Sequence, residues 1–535
     1  MHPGASRAFE ILSAEEISLN SNLFAILSSR FSPLRSHPCP PLSVNSDLTF
    51  SEGSFTVICQ IGSSRPFGHD IGLLLLLFPR CVRLPLCVEL NANYGPRSFR
   101  FTIFVYRRSL IKRRDSKRNR SQVPFPTYRS LRSNYFAPTT MHLNPPFRAE
   151  HIGSLLRPDS LFEKRQQLED GKCTREDVRA VEDDAIKHVV NLQREVGIKT
   201  ITDGELRREM FFENVFDKLE GMTFIPNRPI TTFKPYIPHQ RLMYAAGMQE
   251  APSIFCTGKI KRTKPFYVDE FKYIKSIVPP EDVRNVKLTI CSPCWFHQRH
   301  GSDMTYDLSV YNNDDEYFDD LAMAYRAEIQ ELYDLGCRNI QIDDPTFCYF
   351  CNEDMIIGME SSGVDHEALL DTYIRAINLC TEGRPRDLRI GVHMCRGNFK
   401  GGVHFTEGSY DRIALKVFNT LDVDVFYLEY DTERAGDFTP LKHFPLDKVA
   451  VLGLVTTKNP KLESLEDIKA RVNEAVEIMS QGNPKRSKEV ALNQLCISTQ
   501  CGFASVWQGN PLTEEDEKRK LSLLVKAAEE IWGTA

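Results

Sequence analysis

The sequence predicts an α/β protein whose main domain, residues 141–535, is a (β/α)8 TIM barrel. Eight short apolar runs of the kind found in buried strands alternate mainly with long helical patterns, an order typical of a parallel barrel. Polar residues end several of these runs, and the active site of a TIM barrel lies at the carboxyl ends of its strands. The predicted strands are FRAEHIGS (147–154), KTITDGE (199–205), VKLTICSP (286–293), NIQIDD (339–344), RIGVHMC (389–395), VFYLEYD (425–431), VAVLGLVT (449–456) and VALNQLCIST (490–499).

Long amphipathic helices are predicted between and after these strands. Their apolar residues recur with the helical period, which is typical of helices that cover one face of a sheet. The segment 221–284 is too long for a simple connecting loop, so we expect an excursion after the second strand, over the barrel mouth. The predicted helices span 174–197, 315–336, 365–380, 464–479 and 513–532.

Residues 1–140 differ from the rest of the chain in character. They hold 18 Lys and Arg against 8 Asp and Glu, and they are broken by clusters of Pro, Ser and Arg. No helical or strand periodicity is sustained there, so we expect no packed domain. Either this part is a disordered extension, or the gene model starts too early and Met141 is the true initiator. We prefer the second explanation.

Composition excludes several classes of partner. The net charge is −4, and residues 141–535 are acidic with no basic stripe, so we expect no nucleic acid partner and interpret the basic head as a charged tail. The apolar run 71–78 is far shorter than the roughly twenty residues of a membrane helix, and the N-terminus lacks a signal-peptide pattern. Fifteen scattered cysteines favour a reducing compartment. We therefore expect a cytoplasmic protein with small-molecule substrates and no membrane partner, and predict no oligomeric state.

Four residues late in the chain, His393, Cys395, Glu429 and Cys501, carry the side chains of a catalytic zinc site. Thiolates with an imidazole favour zinc over magnesium or calcium, which prefer oxygen ligands. Such a site binds another thiol and activates it as a nucleophile, which predicts methyl transfer to sulfur. The spacing alone is not decisive, because a strand cysteine is ordinarily a small apolar residue. Glu429 also has an alternative role, as an ion-pair partner of Arg434.

Six stretches of the chain, in order, carry a family resemblance. They are HIGSLLRP (151–158), TDGELRRE (202–209), IQIDDP (340–345), GVHMC (391–395), FYLEYDTERAG (426–436) and STQCGFAS (498–505). Together they resemble the catalytic domain of cobalamin-independent methionine synthase, and more closely its short single-domain homologues. The resemblance covers about residues 145–535 and implies a TIM barrel, a zinc ion and homocysteine as methyl acceptor. It implies zinc ligation by His393, Cys395, Glu429 and Cys501.

The same resemblance implies that Ser154, Glu205 and Asp343 hold the amino-acid end of homocysteine. Two carboxylates that hydrogen-bond one ammonium group offset its desolvation, which suits Glu205 and Asp343. Ser154 and neighbouring backbone N–H groups would hold the α-carboxylate. Acid–base catalysis or magnesium ligation is the alternative for the two carboxylates. Asp344 faces the other side of its strand, and we expect it to be structural.

The chain departs from the methionine synthase pattern at the methyl donor. The N-terminal half of the long enzyme, which helps to hold polyglutamyl folate, has no counterpart here. The long enzyme has a histidine proposed as proton donor at a position where this chain, in the segment GLVTTKNP, has Lys458. A lysine is not equivalent to a histidine as an acid at neutral pH. We take Lys458 as the candidate proton donor. The alignment of Trp295, a candidate for stacking on a pterin, is ambiguous, and we assign it no role.

The function predicted from these residues is a zinc-dependent S-methyltransferase. It would move a methyl group from 5-methyltetrahydrofolate, polyglutamylated, to homocysteine and so produce methionine. A second hypothesis keeps the zinc and thiolate chemistry with another thiol acceptor or a methyl-corrinoid donor. A barrel of the uroporphyrinogen decarboxylase type and a non-catalytic zinc barrel are further alternatives, and the two-cysteine, one-histidine set argues against the decarboxylase.

Overall fold

The computed structural model describes residues 144–399 and 403–535 in full, and the backbone of four strands nearer the N-terminus. Those strands form an antiparallel sheet of order β1-β2-β4-β3, and they belong to a different compact unit from the barrel. They are β1 (Val44–Ser51), β2 (Ser54–Ile61), β3 (Leu86–Gly95) and β4 (Ser98–Arg107).

These four strands were not among the elements predicted from the sequence, and the assignment of residues 1–140 as a disordered extension stays a prediction. In β4, the text SFRFTIFVYR places aromatic or β-branched residues at alternate positions, which is a strand period that favours pairing. The Pro, Ser and Arg clusters on either side concealed that period. The domain boundary at residue 141 stays a prediction, and Met141 itself and the apolar run 71–78 lie outside the described residues.

A curved parallel sheet of seven strands forms the centre of the main unit, in the order β5-β13-β12-β11-β10-β9-β8. Its strand residues are almost entirely buried, as expected for a sheet enclosed by helices. The strands of this unit, including a separate hairpin, are β5 (Ala149–Glu150), β6 (Leu219–Pro229), β7 (Glu250–Arg262), β8 (Lys287–Cys291), β9 (Asn339–Asp344), β10 (Arg389–Met394), β11 (Val425–Glu429), β12 (Val449–Val455) and β13 (Leu495–Thr499).

The predicted second strand completes the barrel as a single residue pair. Ile201 forms an isolated parallel bridge to Val286, and the Thr202 hydroxyl donates to the Gly153 carbonyl oxygen at 2.7 Å. The strand stops here because Gly204 and Glu205 both have positive φ, at 67° and 60°. Eight strand positions are therefore filled, and the predicted (β/α)8 class is confirmed, with a shorter second strand than the sequence suggested.

Helices alternate with the strands around this sheet, and α2 and α13 each begin with a Thr–Asp capping box that holds the first turn. Among the described residues, no helix has both the length and the apolar character needed to cross a membrane. The helices are α1 (Asp159–Glu169), α2 (Arg175–Glu195), α3 (Pro238–Ala245), α4 (Val268–Ile277), α5 (Trp295–His300), α6 (Asp314–Asp334), α7 (Thr346–Tyr349), α8 (Glu353–Ser361), α9 (His366–Thr381), α10 (Asp411–Thr420), α11 (Leu465–Ser480), α12 (Lys488–Asn493) and α13 (Glu514–Trp532).

Two predicted elements are refined by the structure. The excursion after the second strand is present as the antiparallel β6–β7 hairpin with α3 between its strands. The predicted strand 490–499 begins later than expected, because residues 488–493 form helix α12. The Ser487 hydroxyl caps that helix by accepting from the Val490 backbone N–H, a signal that the apolar run concealed.

Candidate metal centre and substrate pocket

The four candidate metal ligands meet at the carboxyl end of the barrel. His393 is on β10, Cys395 directly follows β10, Glu429 ends β11, and Cys501 follows β13 by two residues. Parallel strands in register carry their last residues to one edge, so ligands from distant segments of sequence converge there. One ligand atom from each of the four residues lies within 4.8 Å of all the others.

The two thiols are the closest pair in this cluster. Cys395 Sγ and Cys501 Sγ are 3.6 Å apart, the Gly397 N–H donates to Cys395 Sγ at 3.3 Å, and Ser505 Oγ lies 3.5 Å from Cys501 Sγ. The hydrogen bond from Cys395 and the charge of His393 hold the pKa of Cys501 well below its ordinary value. The ring nitrogens of His393 are buried and make no well-aligned hydrogen bond to a described residue, and the charge of the neighbouring Cys501 raises the pKa of His393 to about 9. The hydrogen bond to Cys501 and burial raise the pKa of Cys395 well above its ordinary value, so the cluster is a set of electron-pair donors that share their protons.

Glu429 is bound through both of its oxygens. The Arg396 backbone N–H donates to Oε1 at 2.8 Å, and the Arg434 guanidinium donates to Oε2 at 2.7 Å. The ion pair with Arg434, which was the alternative role for this residue, is therefore present. It does not exclude metal ligation, because each carboxylate oxygen keeps a further lone pair. Arg434 fixes the orientation in which Glu429 faces the cluster.

The three candidate substrate residues line one cavity together with His393 and the two thiols. Its empty space, including the part open to solvent, measures about 1220 Å³. Ser154 packs closely on Gly502, where an added Cβ would come within 1.9 Å of Ser154 Oγ. Residue 502 therefore has to be glycine if Ser154 is to line the cavity at this position. The predicted substrate residues are Ser154, Glu205 and Asp343, and the structure places all three beside the candidate metal ligands.

Glu205 is held in a backbone conformation that non-glycine residues rarely adopt, with φ of 60°. Its N–H donates to Asp203 Oδ1 at 2.9 Å, and its Oε1 accepts from the Thr289 hydroxyl at 2.8 Å. The Arg208 guanidinium in turn donates to Thr289 Oγ1 at 2.7 Å. These bonds offset the backbone strain, which costs roughly 1–3 kcal/mol. They fix the carboxylate at one place in the cavity wall.

Asp343 is the second buried carboxylate of the pocket. It accepts from Gln341 Nε2 at 2.7 Å, and burial together with the charge of Glu205 raises the pKa of Asp343 to about 7. A cation between the two carboxylates would relieve that repulsion. Asp344, in contrast, accepts from Ser292 Oγ and from Thr346 at the start of α7, which is the structural role expected for it.

Lys458 lies behind the cavity wall and is not one of the residues that line it. Its ammonium group donates to the Gly397 carbonyl at 3.1 Å and to Asn398 Oδ1 at 3.3 Å. Its assignment as proton donor stays a prediction.

Asn398 is a pocket residue that the sequence analysis missed. Its amide donates to the Gly502 carbonyl at 2.7 Å and to Ser505 Oγ at 2.9 Å, and so ties the Cys395 loop to the Cys501 loop. The only available signal was its position three residues after Cys395.

The outer part of the cavity is mostly aromatic and apolar. Trp295 lines it, and both Phe212 and His239 stack against the Trp295 ring with centroids 5.4 Å apart. The ring that the sequence analysis left without a role is therefore already engaged by two neighbours. Further apolar lining residues are Met210, Phe211, Leu242, Met243, Met248, Phe399 and Phe405.

Comparison with known proteins agrees with this architecture. Residues 301–530 match the family model described as cobalamin-independent synthase, catalytic domain. The chain is 36% identical over 390 residues to the uncharacterized protein YxjH of Bacillus subtilis, covering 72% of this chain and 95% of that protein. It is 26% identical to methionine synthase of Saccharolobus solfataricus, over 69% of this chain and 95% of that enzyme.

Solved structures show the same relationship. The crystal structure of the putative vitamin-B12 independent methionine synthase from Listeria monocytogenes has 32% identity and a TM-score of 0.54, covering 72% of this chain and 98% of that one. A B12-independent methionine synthase from Shewanella, in complex with selenomethionine, has 18% identity and a TM-score of 0.52, covers 72% of this chain and 97% of that one, and supports the fold alone. With the ordered motifs, the barrel and these matches in agreement, the chain belongs to the cobalamin-independent methionine synthase family.

Proposed function

We propose that this chain is a zinc-dependent S-methyltransferase that moves a methyl group from 5-methyltetrahydrofolate, polyglutamylated, to homocysteine and produces methionine. The observation that carries the proposal is the cluster of His393, Cys395, Glu429 and Cys501, whose histidine and two cysteines line the same cavity as two buried carboxylates. The cluster supplies a thiol-activating site, and the carboxylates supply a site for an amino group. A substrate that carries both a thiol and an amino group fits these two neighbouring sites.

The donor set supports zinc as the ion. Two thiolates and an imidazole suit zinc and exclude the hard cations that prefer oxygen. His393 supports an ion in particular, because neither of its buried ring nitrogens makes a well-aligned hydrogen bond to any described residue, and a metal ion would complete one of them. A zinc ion bound there would lower the pKa of an incoming thiol and hold the sulfur as a nucleophile.

The chain's own residues would orient the acceptor. Glu205 and Asp343 would receive its α-ammonium group, and Ser154 with nearby backbone N–H groups would receive its α-carboxylate. The apolar outer wall would exclude water from the reacting sulfur. The sulfur then attacks the methyl carbon, the carbon–nitrogen bond to the donor breaks, and its electron pair stays on the donor nitrogen. That nitrogen takes up a proton, for which Lys458 is our candidate.

A methyl-transfer assay on the purified full-length protein tests this proposal. Homocysteine is offered with 5-methyltetrahydrofolate in its mono- and polyglutamyl forms, and methionine is quantified by mass spectrometry. We expect methionine with the folate donor and none after zinc removal by a chelator, with activity restored by added zinc. Transfer from a methyl-corrinoid in place of the folate, or transfer only to another thiol, would favour the second hypothesis.

A further inference from the structure

A buried arginine in the outer part of the cavity has no acidic partner among the residues that the structure describes. Arg299, on α5, is 3% exposed and lines the cavity. Within the part of the chain that the structure describes, its guanidinium makes no ion pair, and its Nε has no hydrogen-bond acceptor. The charges that act on it come from Tyr349 and Arg228, and no carboxylate is among them. A buried cation without a counter-ion is costly, so its retention needs an explanation.

Aromatic rings account for part of the stabilisation of this cation. The guanidinium carbon lies 5.4 Å from the Phe233 ring centroid and 5.7 Å from those of Trp295 and Phe296. Ring faces attract a cation, but they accept no strong hydrogen bonds from the N–H groups around its edge. The donors at the edge of the guanidinium therefore remain available to a ligand in the cavity.

Two more N–H donors of the same wall have no acceptor in residues 144–399 and 403–535. They are Trp295 Nε1 and His239 Nε2, and both are buried. His239 Nδ1 lies 3.0 Å from the Tyr349 hydroxyl, and when that hydroxyl donates, Nε2 carries the ring hydrogen. Burial and the neighbouring Arg299 hold the pKa of His239 well below its ordinary value, so the ring is neutral. The wall offers donors from Arg299, Trp295 and His239.

We propose that Arg299, Trp295 and His239 form an anion subsite that receives the carboxylate of the second substrate, a flat or apolar organic acid that enters the outer cavity. N–H donors that have no acceptor in the protein favour a ligand group with several hydrogen-bond acceptors. A carboxylate is such a group, and it matches a guanidinium in geometry and charge. The surrounding Phe and Met side chains select an apolar body. The inference rests on the proposed function in one respect: Ser154 already serves the carboxylate of the thiol acceptor, so this subsite belongs to the methyl donor.

Benzoate and benzamide are suitable probes, because they share a flat body and differ in charge. Each is titrated into the full-length protein while tryptophan fluorescence is followed, since Trp295 lines the cavity. We expect wild type to bind benzoate at least about tenfold more tightly than benzamide, and Arg299→Gln to lose about tenfold to a hundredfold in benzoate affinity. Arg299→Lys should keep part of the preference, because it keeps the charge.

Arg338→Gln is the matched control. Arg338 also lies over an aromatic ring, that of Tyr333 at 3.8 Å, but it is on the surface in an ion pair with Asp387. Its loss should leave benzoate binding unchanged. Equal affinity of wild type for benzoate and benzamide would overturn the subsite, as would full benzoate affinity in folded Arg299→Gln. If that variant does not fold, the two probes on wild type and on Arg299→Lys decide the question.

Competition with homocysteine identifies which substrate carries the anion. Saturating homocysteine should leave benzoate affinity unchanged, because we place the two carboxylates at different subsites. Competitive displacement of benzoate by homocysteine would assign Arg299 to the acceptor and refute the donor assignment. None of these titrations involves methyl transfer. A failed methyl-transfer assay with an intact benzoate preference would therefore refute the proposed function alone.

Discussion

Glu429 and Arg434 form an ion pair of 2.7 Å in which the carboxylate is fully buried and the guanidinium nearly so. Arg434 also pairs with Asp431 at 2.8 Å, so one cation holds two carboxylates at the end of β11. The pair was an alternative to metal ligation in the sequence analysis, and in the folded chain the two roles are compatible. A ligand whose orientation is held by a neighbour loses less conformational entropy when an ion binds.

We therefore expect Arg434→Met to weaken zinc binding by about tenfold to a hundredfold, the usual cost of removing a group that orients a ligand. Competitive titration with a zinc chelator measures it. Arg384→Met is the control, because Arg384 pairs with Asp422 and Asp424 away from the pocket. Unchanged zinc affinity in a folded Arg434→Met protein would mean that the ion pair is structural only.

Replacement of either thiol should remove most of the zinc. In Cys395→Ser and Cys501→Ser, a hydroxyl oxygen replaces a thiolate and zinc affinity falls, while the barrel should keep its fold. Cys173→Ser is the matched control, since Cys173 is half-buried outside the pocket. Metal content per chain and a thermal melt are measured for all three variants. Wild-type zinc content in both pocket variants would refute the ligand set.

The sequence was most informative about site residues that lie at the ends of strands, because the strand end determines where such a residue lies in the barrel. The sequence alone places His393 and Glu429 at one edge of the sheet, because consecutive parallel strands bring their carboxyl ends together. Contacts across loops were not predictable in the same way. Asn398 reaches Gly502, 104 residues away, and nothing in the local text marks that contact. Arg299 was missed for a similar reason, since only the fold shows that none of the described acidic groups pairs with it.

Backbone conformation explains another difference. The run KTITDGE has the composition of a strand, yet only Ile201 pairs there, because Gly204 and Glu205 turn the chain out of the sheet. A non-glycine residue with positive φ is rare and is set by tertiary contacts such as the Thr289–Glu205 hydrogen bond. Propensity alone could not predict it.

Stability should depend on pH through Glu517 of α13. This carboxyl group is 1% exposed and accepts from the Leu156 N–H at 2.9 Å, and burial raises the pKa of Glu517 to about 8. Its pKa in the unfolded chain is lower, so between about pH 4.5 and pH 8 the folded state binds more protons than the unfolded state. The free energy of unfolding therefore falls as pH rises through that range.

Glu517→Gln keeps the shape and the acceptor for Leu156 but cannot ionise. We expect it to be more stable than wild type at pH 9, by on the order of 5 kcal/mol, with the difference vanishing near pH 4.5. Urea denaturation at several pH values measures this, and Glu515→Gln, an exposed carboxylate on the same helix, is the control. A constant difference across the pH range would show that Glu517 is ionised in the fold or that the substitution acts by other means.

Acceptor recognition should depend on Asp343 through charge. Asp343→Asn nearly preserves the shape of the side chain and removes one of the two negative charges proposed to hold the ammonium group. We expect homocysteine affinity to fall by roughly 1.5–3 kcal/mol, the range for a charge-assisted hydrogen bond, while zinc content stays at the wild-type level. 3-Mercaptopropionate, which lacks the amino group, should bind wild type poorly and respond little to the substitution. Calorimetric titration of both thiols into wild type and Asp343→Asn measures the four affinities, with Asp303→Asn, an exposed carboxylate, as the control. Equal losses for the two thiols would place the ammonium group elsewhere and favour a different thiol as the acceptor.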